Sequence, residues 1–250
     1  MTSPNITTTH AFTTRFGGVS SGIFKSLNLG HRTGDDPANI KENYAALCGA
    51  LDMTEESIVC SNQVHGTNIR LVSKNDSGKL HTPTGHQADG QITQTPGITL
   101  TVFTADCVPI LLHDPVKKAI GAVHAGWRGT AANIAGLAVR KMTGEFGCDP
   151  ADINAAIGPC ISGCCYETDA DVADSLSKTL GTAVEYCIRQ QADKYMVDLK
   201  ESNRFLLADA GVRKTSVSDE CTFCRSDKYW SHRKTAGQRG SQAAVIILRD

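Results

Sequence analysis

Two apolar runs separated by a turn dominate the middle of the chain: Val108–His113 (VPILLH), then Asp114-Pro115-Val116-Lys117, then Ala119–Val123 (AIGAV). An aspartate that bonds its own backbone and a proline that presets φ make this a β-hairpin signal. A turn centred between Pro115 and Val116 pairs His113 with Lys118, Leu111 with Ile120 and Cys107 with His124. Opposed residues share a face with Cβ atoms about 4.5–5.5 Å apart, whereas a one-residue slip separates them onto opposite faces. Upstream, Asp36-Pro37 caps and starts a helix that carries Ile40, Tyr44, Leu47 and Cys48 to Gly49. Ile58–Cys60, Asn68–Val72 and Ile98–Thr104 read as strands. After the hairpin, Thr130 is expected to cap a helix bearing Ile134, Leu137, Ala138 and Met142. Strand Ile153–Ile157, helices Val172–Leu180 and Leu199–Ala210, and a closing buried strand Ala243–Leu248 complete the pattern. Helices and strands alternate irregularly around at least one antiparallel hairpin. That favours a mixed α/β or α+β fold over a doubly wound parallel sheet. There is no GxGxxG or Walker-type loop to argue for a dinucleotide or P-loop fold.

The 250 residues, 40% hydrophobic, suffice for one large domain or two small ones. A net charge of −1 argues against binding to nucleic acid or to a membrane surface through general electrostatics. Met1–His10 has neither a basic start nor an apolar core, and no stretch approaches the roughly 20 apolar residues of a membrane span. A soluble, cytoplasmic protein is the expectation. Its ten cysteines are then expected as thiols, metal ligands or small core residues, not disulfides.

Candidate chemistry starts at the hairpin. Cys107 and His124 offer two ligands for one ion, and His65, between Val64 and Gly66, is the best third. Three Cys/His ligands with an open fourth position is the pattern of a catalytic zinc site, where the ion lowers the pKa of water or polarises an oxygen. The competing reading makes Cys107 a core thiol and leaves the histidines bonded to backbone. In another, Cys107 is a nucleophile activated by His124, with Asp106 orienting the imidazole. His10, His31, His81, His86 and His113 are assigned to loops and turns. Copper is possible, but eight histidines with no His-x-His pair fit a multicopper oxidase poorly. Cys160, Cys164 and Cys165, with Cys221 and Cys224, suggest either a structural four-cysteine zinc site or packing thiols near a shared turn. Arg15, Arg128 and Arg233 are candidate grips for substrate or phosphate, each weighed against plain surface solvation.

Taken in order, TRFGGVSSG (Thr14–Gly22), SLNLG (Ser26–Gly30), NQVHG (Asn62–Gly66), ADG (Ala88–Gly90), TADCVPILL (Thr104–Leu112), AVHAGWRGT (Ala122–Thr130), GPCISGCCYE (Gly158–Glu167) and the YWSHRK…GQRGSQAAVIIL tail resemble the laccase-domain, or YfiH-like, family, also labelled multicopper polyphenol oxidase. The tail departs from the YSYRR-like and TGRMA-like sequences that family members more often carry at Arg233 and Arg239. The resemblance implies a single domain over residues 1–250 with mixed sheets in α/β/β/α layers, and a catalytic Zn2+ on His65, Cys107 and His124. It implies purine nucleoside phosphorylase activity on adenosine, inosine, guanosine and methylthioadenosine, with adenosine deaminase as a second activity. Some relatives resemble peptidoglycan editing hydrolases that remove a wrong amino acid from a UDP-muropeptide. A third possibility, from a different class, is a thiol-rich redox or metal-buffering protein without a substrate.

Overall fold

A computed structural model describes residues 1–81 and 85–249. Its largest sheet has six strands, in the order β12 (Lys214–Val217), β8 (Asn154–Ile157), β6 (Val108–Asp114), β7 (Ala119–Ala125), β4 (Gly90–Thr93) and β3 (Ile69–Leu71). The two outer pairs, β12–β8 and β3–β4, are parallel and the inner pairings antiparallel, so the sheet is mixed. A four-stranded sheet follows the order β1 (His10–Phe12), β13 (Gln242–Ile247), β5 (Thr99–Thr104) and β2 (Ile58–Val59). A small sheet joins β10 (Ile188–Gln191), β11 (Lys194–Val197) and β9 (Glu167–Thr168).

Strand parity explains the layering. Along β6, Leu111 faces the four-stranded sheet and packs with Ile120, Ala122, Leu100, Val102 and Ile246. Val108, Ile110 and Leu112 face the other way, onto α3 (Ile134–Phe146), α4 (Ala170–Leu180) and α6 (Leu199–Asp209). The far side of the four-stranded sheet buries Ala243 and Val245 against Ile40, Tyr44 and Leu47 of α1 (Pro37–Leu51). The result is helix, sheet, sheet, helix, as the resemblance implied. Strands β6 and β7 are buried at every position, hence their nearly continuous apolar sequence. Two short helices, α2 (Trp127–Ala131) and α5 (Val184–Cys187), complete the set. No helix among the described residues is long and apolar enough to cross a membrane.

Three local expectations need correction. The hairpin register is shifted by two residues: Leu111 opposes Ala122, His113 opposes Ile120 and Pro109 opposes His124. The Asp114 carboxylate accepts from the amides of both Val116 and Lys117, and Lys118 takes a left-handed φ of 50°, so the turn is longer than the two-residue form. A shift of two preserves parity, and Cys107 therefore keeps the face of His124. Thr130 does not cap the following helix. It is buried in α2 and accepts from Asn203, while Asn133 supplies the cap by accepting from the Gly136 amide. His10 and His113, assigned to loops and turns, lie in β1 and β6.

Candidate metal centre

Four segments meet at one end of the six-stranded sheet. Cys107 immediately precedes β6, His124 is the penultimate residue of β7, His65 lies in the loop between β2 and β3, and Asp89 immediately precedes β4. The ligand atoms of His65, Cys107 and His124 all lie within 4.8 Å of one another. Cys107 Sγ is 3.9 Å from His65 Nε2, and the two imidazoles meet edge to face at 4.9 Å between centroids. His124 is buried, Cys107 half-buried and His65 exposed, so the group opens to one side.

Asp89 holds the arrangement together. Its buried carboxylate accepts from the backbone amides of Val64 (3.2 Å), His65 (2.9 Å) and Gly66 (2.7 Å), and from His124 Nδ1–H (2.8 Å). Three successive amides turned onto one anion form a nest, which sustains the left-handed φ of 58° at His65. The same carboxylate holds a proton on Nδ1 of His124, so Nε2 is the nitrogen that would give up its proton to a metal. Burial alone would raise the Asp89 carboxyl, but these donors, His124 foremost, bring it below its ordinary value. Burial likewise pushes the Cys107 thiol up, and the charge of His124 with hydrogen bonds from both imidazoles more than reverses that, to about 6. For His124, burial works downward, while the Cys107 thiolate and Asp89 raise it to about 9. Without an ion, this is a thiolate–imidazolium pair. Gly126 makes room for it: a Cβ there would stand 2.9 Å from His65 Cδ2 and 3.3 Å from Cys107 Sγ.

The three side chains open into a cavity of about 1250 Å³ that is also lined by Tyr166, Arg233 and Arg239. Burial pushes the Tyr166 phenol up to about 12, with the Cys107 charge adding to the effect. Of the three arginines singled out in the sequence, only Arg233 lines this cavity. It donates from Nη1 to the Glu167 carbonyl and sits over the Tyr166 ring. Arg15 is spent elsewhere: its three nitrogens donate to the carbonyls of Lys25 and Ser226, and its guanidinium lies 4.0 Å over Trp230. Arg128 stacks on Trp127 and is not part of the lining, although its charge reaches Tyr166. Asp106 does not orient His124; it accepts from Thr222 Oγ1 and the Arg233 amide, both at 2.6 Å.

Two residues of the site, Asp89 beside the ligands and Arg239 in the cavity lining, were not among the sequence candidates, although Arg239 was noted in the tail. Asp89 sits in the ADG segment, but its partnership with His124 needs the long-range pairing of β4 with β7. Arg239 donates from Nη1 to Ser241 Oγ and the Gly240 carbonyl, yet its buried Nε has no partner; burial lowers the guanidinium pKa, and the charges of Cys107 and Asp106 offset this only in part.

Comparison with known proteins identifies the family. The family model described as multi-copper polyphenol oxidoreductase laccase matches residues 9–249. The chain belongs to this family. It is 40% identical over 249 residues to the purine nucleoside phosphorylase YlmD of Geobacillus stearothermophilus, covering 95% of this chain and 89% of that one. It is 40% identical to a purine nucleoside phosphorylase of Deinococcus radiodurans, over 98% and 91% of the two chains. The crystal structure of the Geobacillus YlmD superposes with a TM-score of 0.93 over 96% of this chain and 92% of that one. A Bacillus licheniformis YfiH structure, 34% identical, gives 0.93 over the same shares of the two chains.

Proposed function

We propose that this chain is a zinc-dependent purine nucleoside phosphorylase, acting in the cytoplasm on adenosine, inosine, guanosine and methylthioadenosine. The observation that carries the reading is the convergence of His65, Cys107 and His124 on a cavity that also presents Arg233 and Arg239. Relatives that bear the phosphorylase name over nearly the whole chain support it. The donor set fits zinc: ligand bonds of about 2.0–2.3 Å at tetrahedral angles put donor atoms roughly 3.3–3.6 Å apart, against 3.9 Å from Cys107 Sγ to His65 Nε2 and at most 4.8 Å for any pair, so a small inward movement would close the site on an ion. The family label notwithstanding, the two clusters of possible ligands among the described residues contain only two histidines, too few imidazoles for several coppers.

In phosphorolysis a phosphate oxygen attacks the anomeric carbon, the glycosidic C–N bond breaks, and its electron pair leaves with the purine, which takes up a proton. The chain must therefore hold an anion, steady an oxocarbenium-like centre and serve the departing base. Arg233 and Arg239 suit the anion, and the orphan Nε of Arg239 gives a direct reason for one to bind. Tyr166 stays protonated at neutral pH and can donate to the base or to phosphate. Asp89 keeps His124 in the tautomer that ligates. Bound at His65, Cys107 and His124, zinc would supply Lewis-acid polarisation and water activation, which also makes adenosine deamination a reasonable second activity.

A peptidoglycan editing hydrolase remains the second reading, because the cavity of about 1250 Å³ exceeds the roughly 300–1,000 Å³ usual for small-molecule sites. Incubation with adenosine, with and without phosphate, separates the reactions by product. Adenine and ribose 1-phosphate, formed only with phosphate and lost in His65→Ala and His124→Ala, support phosphorolysis. Inosine in either condition reports deamination. Turnover of a UDP-muropeptide alone would replace the proposal.

A further inference from the structure

A second cluster lies outside the site described above. Cys164 and Cys165, in the loop before β9, meet Cys221 and Cys224 in the turn that follows β12, with all four sulfurs within 4.8 Å of one another. Cys164 and Cys165 stand 3.5 Å apart, Cys164 and Cys224 3.8 Å, and Cys165 and Cys224 3.3 Å, and none is in a disulfide. Four sulfurs at about 2.3 Å from one zinc ion are separated by roughly 3.8 Å along each edge of the tetrahedron. The buried sulfur of Cys221 receives the Ser162 amide at 3.4 Å and is also approached by the amides of Phe223 and Cys224. Backbone donors folded back onto the first sulfur of a Cys-x-x-Cys turn suit a sulfur that carries charge in its bound form. Packing thiols have no use for three such donors.

We infer that Cys164, Cys165, Cys221 and Cys224 bind a single zinc ion as a closed, structural four-thiolate site. The two segments it would join both serve the cavity. Cys160 bridges Cys221, and Thr222 donates to the Cys160 carbonyl and to Asp106, the residue before Cys107. Tyr166 directly follows Cys165. The ion would thus fasten the Tyr166 loop to the Cys221–Cys224 turn at a point where neither segment belongs to a large sheet.

The test is zinc content per chain in the full-length protein, purified under reducing conditions without a metal-affinity tag. In a Cys107→Ala background, which removes a ligand of the other centre, one zinc per chain is expected. Adding Cys221→Ser and Cys224→Ser is expected to reduce it to none. A Cys107→Ala protein with no zinc and four freely alkylated thiols overturns the site, as does a Cys165–Cys224 disulfide found by peptide mass spectrometry. Should the triple variant fail to fold, mercurial titration of folded Cys107→Ala decides instead. Zinc released in step with four thiols supports the inference, and titration of those thiols without zinc release overturns it.

Discussion

At the scale of single residues, Asp89 carries the most consequence, because one carboxylate sets both the His65 loop and the His124 ring. In Asp89→Asn the amide can present N–H to His124 Nδ1, which favours the opposite tautomer and puts a hydrogen on Nε2. Zinc affinity is expected to fall by about 10- to 100-fold, measured by competition with a chelator. The pH dependence follows from the thiolate–imidazolium pair. Between about 9 and 6, binding an ion must expel the proton from His124 while Cys107 is already ionised. Below about 6, Cys107 takes up a proton that must also leave. The pair therefore contributes about a tenfold loss of affinity per pH unit in the upper window and about a hundredfold per unit below it. A chelator-competition series that shows no steepening near pH 6 would contradict this assignment. That Cys107 and His124 belong together was legible from the hairpin, and His65 was a candidate from its residue type and its place before Gly66. Asp89 was not, since nothing local in Ala88-Asp89-Gly90 says which strand β4 will join.

At the scale of elements, the central hairpin was legible because both its strands are fully buried and read as apolar runs. Its register was not, because the loop length depends on how Asp114 gathers two amides and on a left-handed Lys118. The face of Cys107 survived the error only because the shift was even. Strands such as β4 (GQIT) and β12 (KTSV) were missed for a different reason. Four residues of mixed polarity carry too little periodicity, and their place is set by partners far along the chain. The junction of β7 and α2 invites a direct test. Gly126 has an ordinary φ of −72°, so alanine there meets a steric problem and not a conformational one. Its Cβ would push directly on His65 and Cys107. Gly126→Ala is expected to cost about 1–3 kcal/mol by overpacking and to lose the zinc of this centre. A variant with unchanged melting temperature and zinc content would show that the loop yields freely.

At the scale of the whole molecule, the cavity gathers residues from near both ends of the chain, which is why arginines could not be ranked from sequence alone. Arg239→Ala is expected to raise KM for phosphate with little change in melting temperature. Arg15→Ala is expected to lower the melting temperature with KM unchanged, since Arg15 ties two loops across Trp230. Stability against acid is likewise a property of the layers together. Burial lowers His10, His31 and His113, with His31 brought to about 4 beside His81 and stacked on Tyr44. Below about 6.5 the unfolded chain protonates these three while the folded one resists. The unfolded state then binds more protons, and stability falls as pH drops from 6.5 toward 4. In the ion-free protein the Cys107–His124 pair does not add to this slope above about 6.5. It holds one proton in the folded state, on His124, and one in the unfolded state, on Cys107, so the two linkages cancel. Urea midpoints of chelator-treated protein should decline from pH 6.5 to 4.5, and His31→Gln should flatten part of that decline. A midpoint constant over that range, or a slope that His31→Gln leaves intact, would mean these three histidines do not govern acid stability.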